Sequence, residues 1–167
     1  MAKDLEVSEP KHPKDVFKMH LEDNYKGGSD SNAVNLHNIY VNAFVNAGLT
    51  KDIYMIDDEE DETPKNLVMS INSKEDWQIA AVASLGLLCP WNTETIEEKL
   101  MPYIDNEGIY VKAGASLGIG LCSAGINDEN DMAFALLSDS AQNSESSIIK
   151  QCSILGLGMA YAGRSRP

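Results

Sequence analysis

Three cysteines (Cys89, Cys122, Cys152) and three histidines (His12, His20, His37) are the residues from which this chain would have to build a nucleophile with its base, or a zinc site. A reactive thiol needs a base within hydrogen-bond reach, and zinc needs ligands at close, paired spacing. Here every histidine lies far upstream of every cysteine, there is no C-x-x-C, and the histidines are not at zinc spacing. Each cysteine sits in an apolar run, where a free thiol packs as a small hydrophobe. The unbroken acidic run from Asp57 to Glu62 has no glycine at the turn position a calcium loop requires. Six like charges repel one another, so a solvated loop is the expected form. The glycines at 118, 120 and 125 and at 156, 158 and 163 lack the third spacing of a dinucleotide fingerprint and fall inside helical patterns. There is no G-x-x-x-x-G-K-[ST] loop either. No cofactor, metal or catalytic constellation is therefore expected, and the chain reads as a non-enzyme.

The carboxylates say more by their placement. Asp105, Glu107, Asp128, Glu129, Asp131 and Asp139 gather at turns and on polar helices between apolar ones. Asp128, Glu129, Asp131 and Asp139 form the candidate partner-binding set, with Met132 and Leu136 beside them. Positions 128, 131 or 132, 135 and 139 recur at spacings of three and four and so share one helix face. Asp plus Glu number 26 against 13 Lys plus Arg, for a formal net charge of -13. Such a surface repels phosphate backbones and anionic lipid, which excludes nucleic acid and favours a basic protein surface as partner.

The elements that position these residues follow from periodicity and breakers. Residues 1–13 read as a flexible leader. Residues 14–50 read as a helical segment with a short helix over 14–25, striped by Val16, Phe17, His20 and Leu21, and a second over 33–47 closed by Gly48. In the second helix Asn35, Asn38, Asn42 and Asn46 mark one face and Leu36, Tyr40, Ala43 and Ala47 another. The asparagines also rule out a membrane span across the uncharged stretch 31–50. Residues 51–66 form the acidic loop. From 67 to 167 the sequence repeats itself: Ser84-Leu-Gly-Leu-Leu, Ser116-Leu-Gly-Ile-Gly and Ile154-Leu-Gly-Leu-Gly are offset by 32 and then 38 residues. A period in this range marks an array of helix-turn-helix units.

Inner helices are expected over 110–124 and 147–162, carrying small residues four apart at Gly114, Gly118 and Cys122 and at Cys152, Gly156 and Ala160. Ridges of small residues admit a neighbouring helix closely, and Gly125 and Gly163 stand where a left-handed residue ends a helix. Polar outer helices are expected over 93–103, with Pro102 in the last turn, and over 131–140. Trp77 and Trp91 bracket the first inner helix and read as its packing anchors. The fold class is all-α. With three unpaired cysteines and no signal peptide visible, the chain reads as intracellular.

Tyr110-Val-Lys-Ala-Gly-Ala-Ser-Leu-Gly-Ile-Gly-Leu with Gly125, and Ile154-Leu-Gly-Leu-Gly-Met-Ala-Tyr-Ala-Gly163, resemble proteasome/cyclosome repeats. His20-Leu-Glu-Asp-Asn with Gly27-Gly-Ser, Phe44-Val-Asn-Ala-Gly, Ala83-Ser-Leu-Gly and Ala135-Leu-Leu-Ser-Asp extend the likeness, in order, from about Val16 to Arg164. The resemblance is to the large non-ATPase scaffolds of the proteasome regulatory particle, and among them to the one that docks receptors. It implies an α-solenoid closing into a toroid, of which this chain is a fragment truncated at its C-terminus. It further implies a non-catalytic role in the cytoplasm and nucleus. The implied partners are ubiquitin, shuttle receptors with ubiquitin-like domains, a deubiquitinase and the proteasomal ATPase subunits. Without the resemblance, the same pattern fits an unrelated acidic helical-repeat adaptor for another basic protein.

Overall fold

The computed structural model describes residues 8–16, 31–52, 54, 75–92, 94, 96–126 and 130–163. In chain order these form α1 (Pro13–Val16), α2 (Ser31–Val45), α3 (Glu75–Leu88), a π-helical turn (Ile96–Leu100) running into α4 (Met101–Ile104), α5 (Ile109–Cys122), α6 (Met132–Asn143) and α7 (Ser147–Ala160). No strand occurs among the described residues. The acidic run 57–62, His20, most of the first expected helix and most of the leader lie outside them.

The three Leu-Gly helices, α3, α5 and α7, pack side by side and parallel. Early in both helices Gly114 lies against Ile79; later Gly86, in the last turn of α3, meets Gly118; and the Trp91 N–H, beyond α3, donates to the carbonyl of Cys122, the last residue of α5, at 2.8 Å. The α5–α7 contact has the same form, with Gly120 against Gly156 and the Ser153 hydroxyl bonding the Ser116 hydroxyl at 3.3 Å. A Cβ at Gly86 would overlap the backbone of Gly118, and one at Gly120 the backbone of Gly156. The helices therefore touch backbone to backbone, and that contact offsets the poor helix propensity of glycine. Gly118 has a second role: a Cβ there would stand 3.1 Å from Leu100 Cδ2, so the outer layer also presses on this helix.

The outer layer follows the expected order with one change of geometry. Residues 96–100 form a π turn rather than α-helix, with Ile96 and Leu100 fully buried and Glu97 and Glu98 exposed. Pro102 follows at once and has no N–H to give to the carbonyl four residues back, so the regular ladder cannot run through this point. On α6, Ala133 and Leu137 are buried, while Met132 and Leu136 are partly buried against the core.

On α2 the inward face is the asparagine face. Asn38, Asn42 and Asn46 are buried with Ile39 and Ala43, whereas Tyr40 and Phe44 are exposed. The asparagines are held by two segments that cross the helix. Asn46 accepts from the Lys11 N–H at 2.8 Å and donates to the Lys11 carbonyl at 3.0 Å and to Asn42 Oδ1 at 2.8 Å. Asn42 donates to Asp52 Oδ1 at 2.9 Å, and Asn38 to the Tyr54 hydroxyl at 3.2 Å. Amides can go inside where such partners exist, because the loss of water is then compensated.

Helices α2, α3, α5 and α7 each close three residues beyond their last helical residue with a left-handed residue: Gly48, Trp91, Gly125 and Gly163, at φ 79, 66, 77 and 75°. Glycine adopts this conformation freely, while a side chain strains there. Trp91 is the one that breaks the series.

Candidate functional site

The interior holds the nucleophilic atoms and keeps them inert. All three cysteines are free and buried. The single Cys122 S–H is shared between the Cys89 carbonyl at 3.0 Å and the Asn92 carbonyl at 2.9 Å, and Cys89 Sγ donates to the Thr50 carbonyl at 3.7 Å. Burial pushes the Cys122 thiol up to about 11 and raises that of Cys152 as well. These are the conditions of a structural thiol rather than an attacking thiolate. His12 packs edge-on to Tyr54 at 5.6 Å, and His37 is exposed. Among the described residues no group of three or more His, Cys, Asp or Glu is placed to hold a metal ion.

The exposed chemistry lies at the edge where the parallel inner helices end. Of the four candidate residues, Asp128 and Glu129 lie outside the described residues. Asp131 and Asp139 stand at the start and in the third turn of α6. Asp139 is exposed and accepts from Asn143 Nδ2 at 2.8 Å. Asp131 is half-buried, its backbone is left-handed at φ 49°, and its carboxylate accepts the Tyr161 hydroxyl instead of capping α6. Met132 and Leu136, whose orientation the spacing leaves open with the core the better reading for Leu136, pack against the core. Ala135, four residues before Asp139, shares its face, and Phe134, 46% exposed, lies further round the outward side of the helix. The signal for Phe134 was present in the spacing. Once Ala133 and Leu137 define the inward stripe, residue 134 is turned out of it.

A second exposed group of the same chemistry stands one unit earlier. Trp91, expected to anchor the first inner helix, is 71% exposed, whereas Trp77 does pack against the core. The turn that binds its N–H to α5 swings the indole outward, and Glu94, Glu97 and Glu98 are exposed just beyond it. Glu97 and Glu98 stand three and four residues after Glu94. Type alone suggested a buried Trp; only the backbone geometry reveals an exposed one.

Glycine-packed parallel inner helices, polar outer helices and an edge of aromatics beside acids define an all-α helical-repeat array. No helix of the described residues is long and apolar enough to cross a membrane. No family model matches the chain. It is 35% identical over 167 residues to the 26S proteasome non-ATPase regulatory subunit 2 of Dictyostelium discoideum, covering 99% of this chain and 18% of that protein. It is 40% identical over 141 residues to the Arabidopsis thaliana subunit 2 homolog B, covering 83% of this chain and 16% of that protein. With the 26S proteasome regulatory subunit rpn-1 of Neurospora crassa the identity is 34% over 167 residues, 98% of this chain and 18% of that protein. The chain belongs to this family of proteasome non-ATPase regulatory subunits. It spans less than a fifth of the length of these relatives.

Proposed function

We propose that this chain is part of a non-catalytic scaffold of the proteasome regulatory particle and that its acidic-aromatic edge docks ubiquitin-like domains of shuttle receptors. The carrying observation is that Phe134, Ala135 and Asp139 are all exposed on the outward side of α6, with Ala135 four residues before Asp139. Ubiquitin-like domains offer an apolar patch ringed by basic residues, and this face is its complement in both apolarity and charge. The Trp91 turn with Glu94, Glu97 and Glu98 repeats that chemistry, so the edge offers two docking places. The names of the relatives support a proteasomal setting, which brings ubiquitin, a deubiquitinase and the ATPase subunits as partners of the whole protein in cytoplasm and nucleus. The buried thiols support a role without catalysis. The purified chain is expected neither to hydrolyse ATP nor to cleave ubiquitin conjugates.

The test is an NMR titration with an isolated ubiquitin-like domain. Native protein is expected to bind with Kd on the order of micromolar, more weakly as salt rises. Phe134→Ala and Asp139→Arg each remove exposed groups without disturbing the core and are expected to reduce shifts around α6. Trp91→Gly is expected to reduce those around the earlier turn while relieving the left-handed strain. Undiminished binding by folded Phe134→Ala, Asp139→Arg and Trp91→Gly variants would contradict the proposal.

A further inference from the structure

After three of the four long helices α2, α3, α5 and α7, the first residue beyond the helix reaches back to chain that precedes it. After α2, Asn46 holds the backbone of Lys11. After α3, the Cys89 thiol meets the Thr50 carbonyl. After α7, the Tyr161 hydroxyl donates to the carboxylate of Asp131, where α6 begins. Ser123, in the same place after α5, is the exception: its hydroxyl is buried with no partner among the described residues. Tyr161 therefore occupies a recurrent latch position, and in this unit the latch closes on the docking edge.

What it holds is not in a relaxed form. An Asp at an N-cap ordinarily has extended backbone and accepts from the N–H groups of the first turn. Asp131 does neither: its backbone is left-handed and it makes no capping bond. A non-glycine residue keeps that conformation only where its surroundings hold it. The Tyr161 ring is itself fixed, packed against the core at the end of α7. We propose that Tyr161 is a positioning residue: by binding Asp131 it sets the start of α6, and so the direction in which Phe134 and Asp139 meet a partner. This deepens the docking proposal and rests on it.

Two substitutions separate position from charge. Tyr161→Phe keeps the packed ring and removes the donor. Asp131→Asn removes the charge and keeps an oxygen that can accept from Tyr161. If Tyr161 positions the edge, Tyr161→Phe shifts the amide resonances of residues 131–135 in the free protein. It also weakens binding of a ubiquitin-like domain on the order of tenfold, the scale of one hydrogen bond to a charged group. Asp131→Asn, which keeps an acceptor for Tyr161, leaves the free-state amide resonances of residues 133–135 near their native positions. Native affinity in Tyr161→Phe, or free-state amide shifts of residues 133–135 in Asp131→Asn as large as those in Tyr161→Phe, overturns the positioning role. Absence of binding by the native chain overturns the docking reading instead. The free-state amide shifts then still report whether Tyr161 sets the start of α6, and unmoved shifts overturn that too.

Discussion

Helix α2 and the trio α3, α5 and α7 lie in one molecule and are held by opposite means. The trio has given up side chains at its contacts: Gly86 meets Gly118 and Gly120 meets Gly156, so backbones touch and dispersion is gained over a continuous surface. Helix α2 has kept polar side chains and buried them. Asn38, Asn42 and Asn46 bind segments from both sides of the helix in sequence, at residues 11, 52 and 54. A glycine contact tolerates no added atom. An amide contact tolerates shape changes better but leaves unmet donors and acceptors when one partner goes. The array thus gets its fixed spacing from glycine, while the N-terminal part gets its register from directional hydrogen bonds.

The comparison can be broken at each of its parts. The largest effect is expected from Gly86→Leu, which forces a branched chain into the backbone of Gly118. It should lower stability by about 3 kcal/mol, at the upper end for an overpacked core, measured by denaturant unfolding. Asn46→Ala comes next. It removes the acceptor for the Lys11 N–H and the donor to the Lys11 carbonyl, and is expected to lower stability by about 1–2 kcal/mol. Its m-value should not change if the whole chain still unfolds together.

A smaller effect comes from the thiol between the inner helices. Cys122 keeps its proton in the folded state up to about pH 11, whereas an unfolded thiol releases it near pH 9.0. Above that value the unfolded state binds fewer protons, so stability falls as pH rises from about 9 towards about 11. Cys122→Ala should flatten the slope of unfolding free energy against pH over this window. Below it, the same thiol should resist alkylation until the protein is unfolded.

Much of the array was legible in the sequence, and the reasons can be named. Helices expected over 110–124 and 147–162 are α5, Ile109–Cys122, and α7, Ser147–Ala160, because glycine spacing, apolar runs and closing glycines all pointed the same way. In α2 the period separated the asparagine face from the other, yet period cannot say which face turns inward when distant partners decide it. Those partners, Lys11, Asp52 and Tyr54, come from outside the helix and leave no mark on its pattern. Trp91 was misplaced for a different reason. Its size suggests burial, while its exposure follows from a left-handed backbone that composition does not encode. At the docking edge the acids were legible by type, but Phe134 stood out only once the inward stripe of α6 was fixed by Ala133 and Leu137.

The central claim is that the inner helices cohere through glycine backbone contacts, and two alanines test it most directly. Gly120 and Gly158 occupy the same place in equivalent motifs, one pressed on Gly156 and the other with no atom within 4 Å of an added Cβ. Unfolding by denaturant should show Gly120→Ala less stable by about 1–3 kcal/mol, because the methyl group forces α5 and α7 apart. Gly158→Ala should be more stable by about 0.5–1 kcal/mol, because a helical residue has been given better propensity and meets nothing. Shifts of opposite sign are the expected result, and a Gly120→Ala protein as stable as Gly158→Ala would contradict the account.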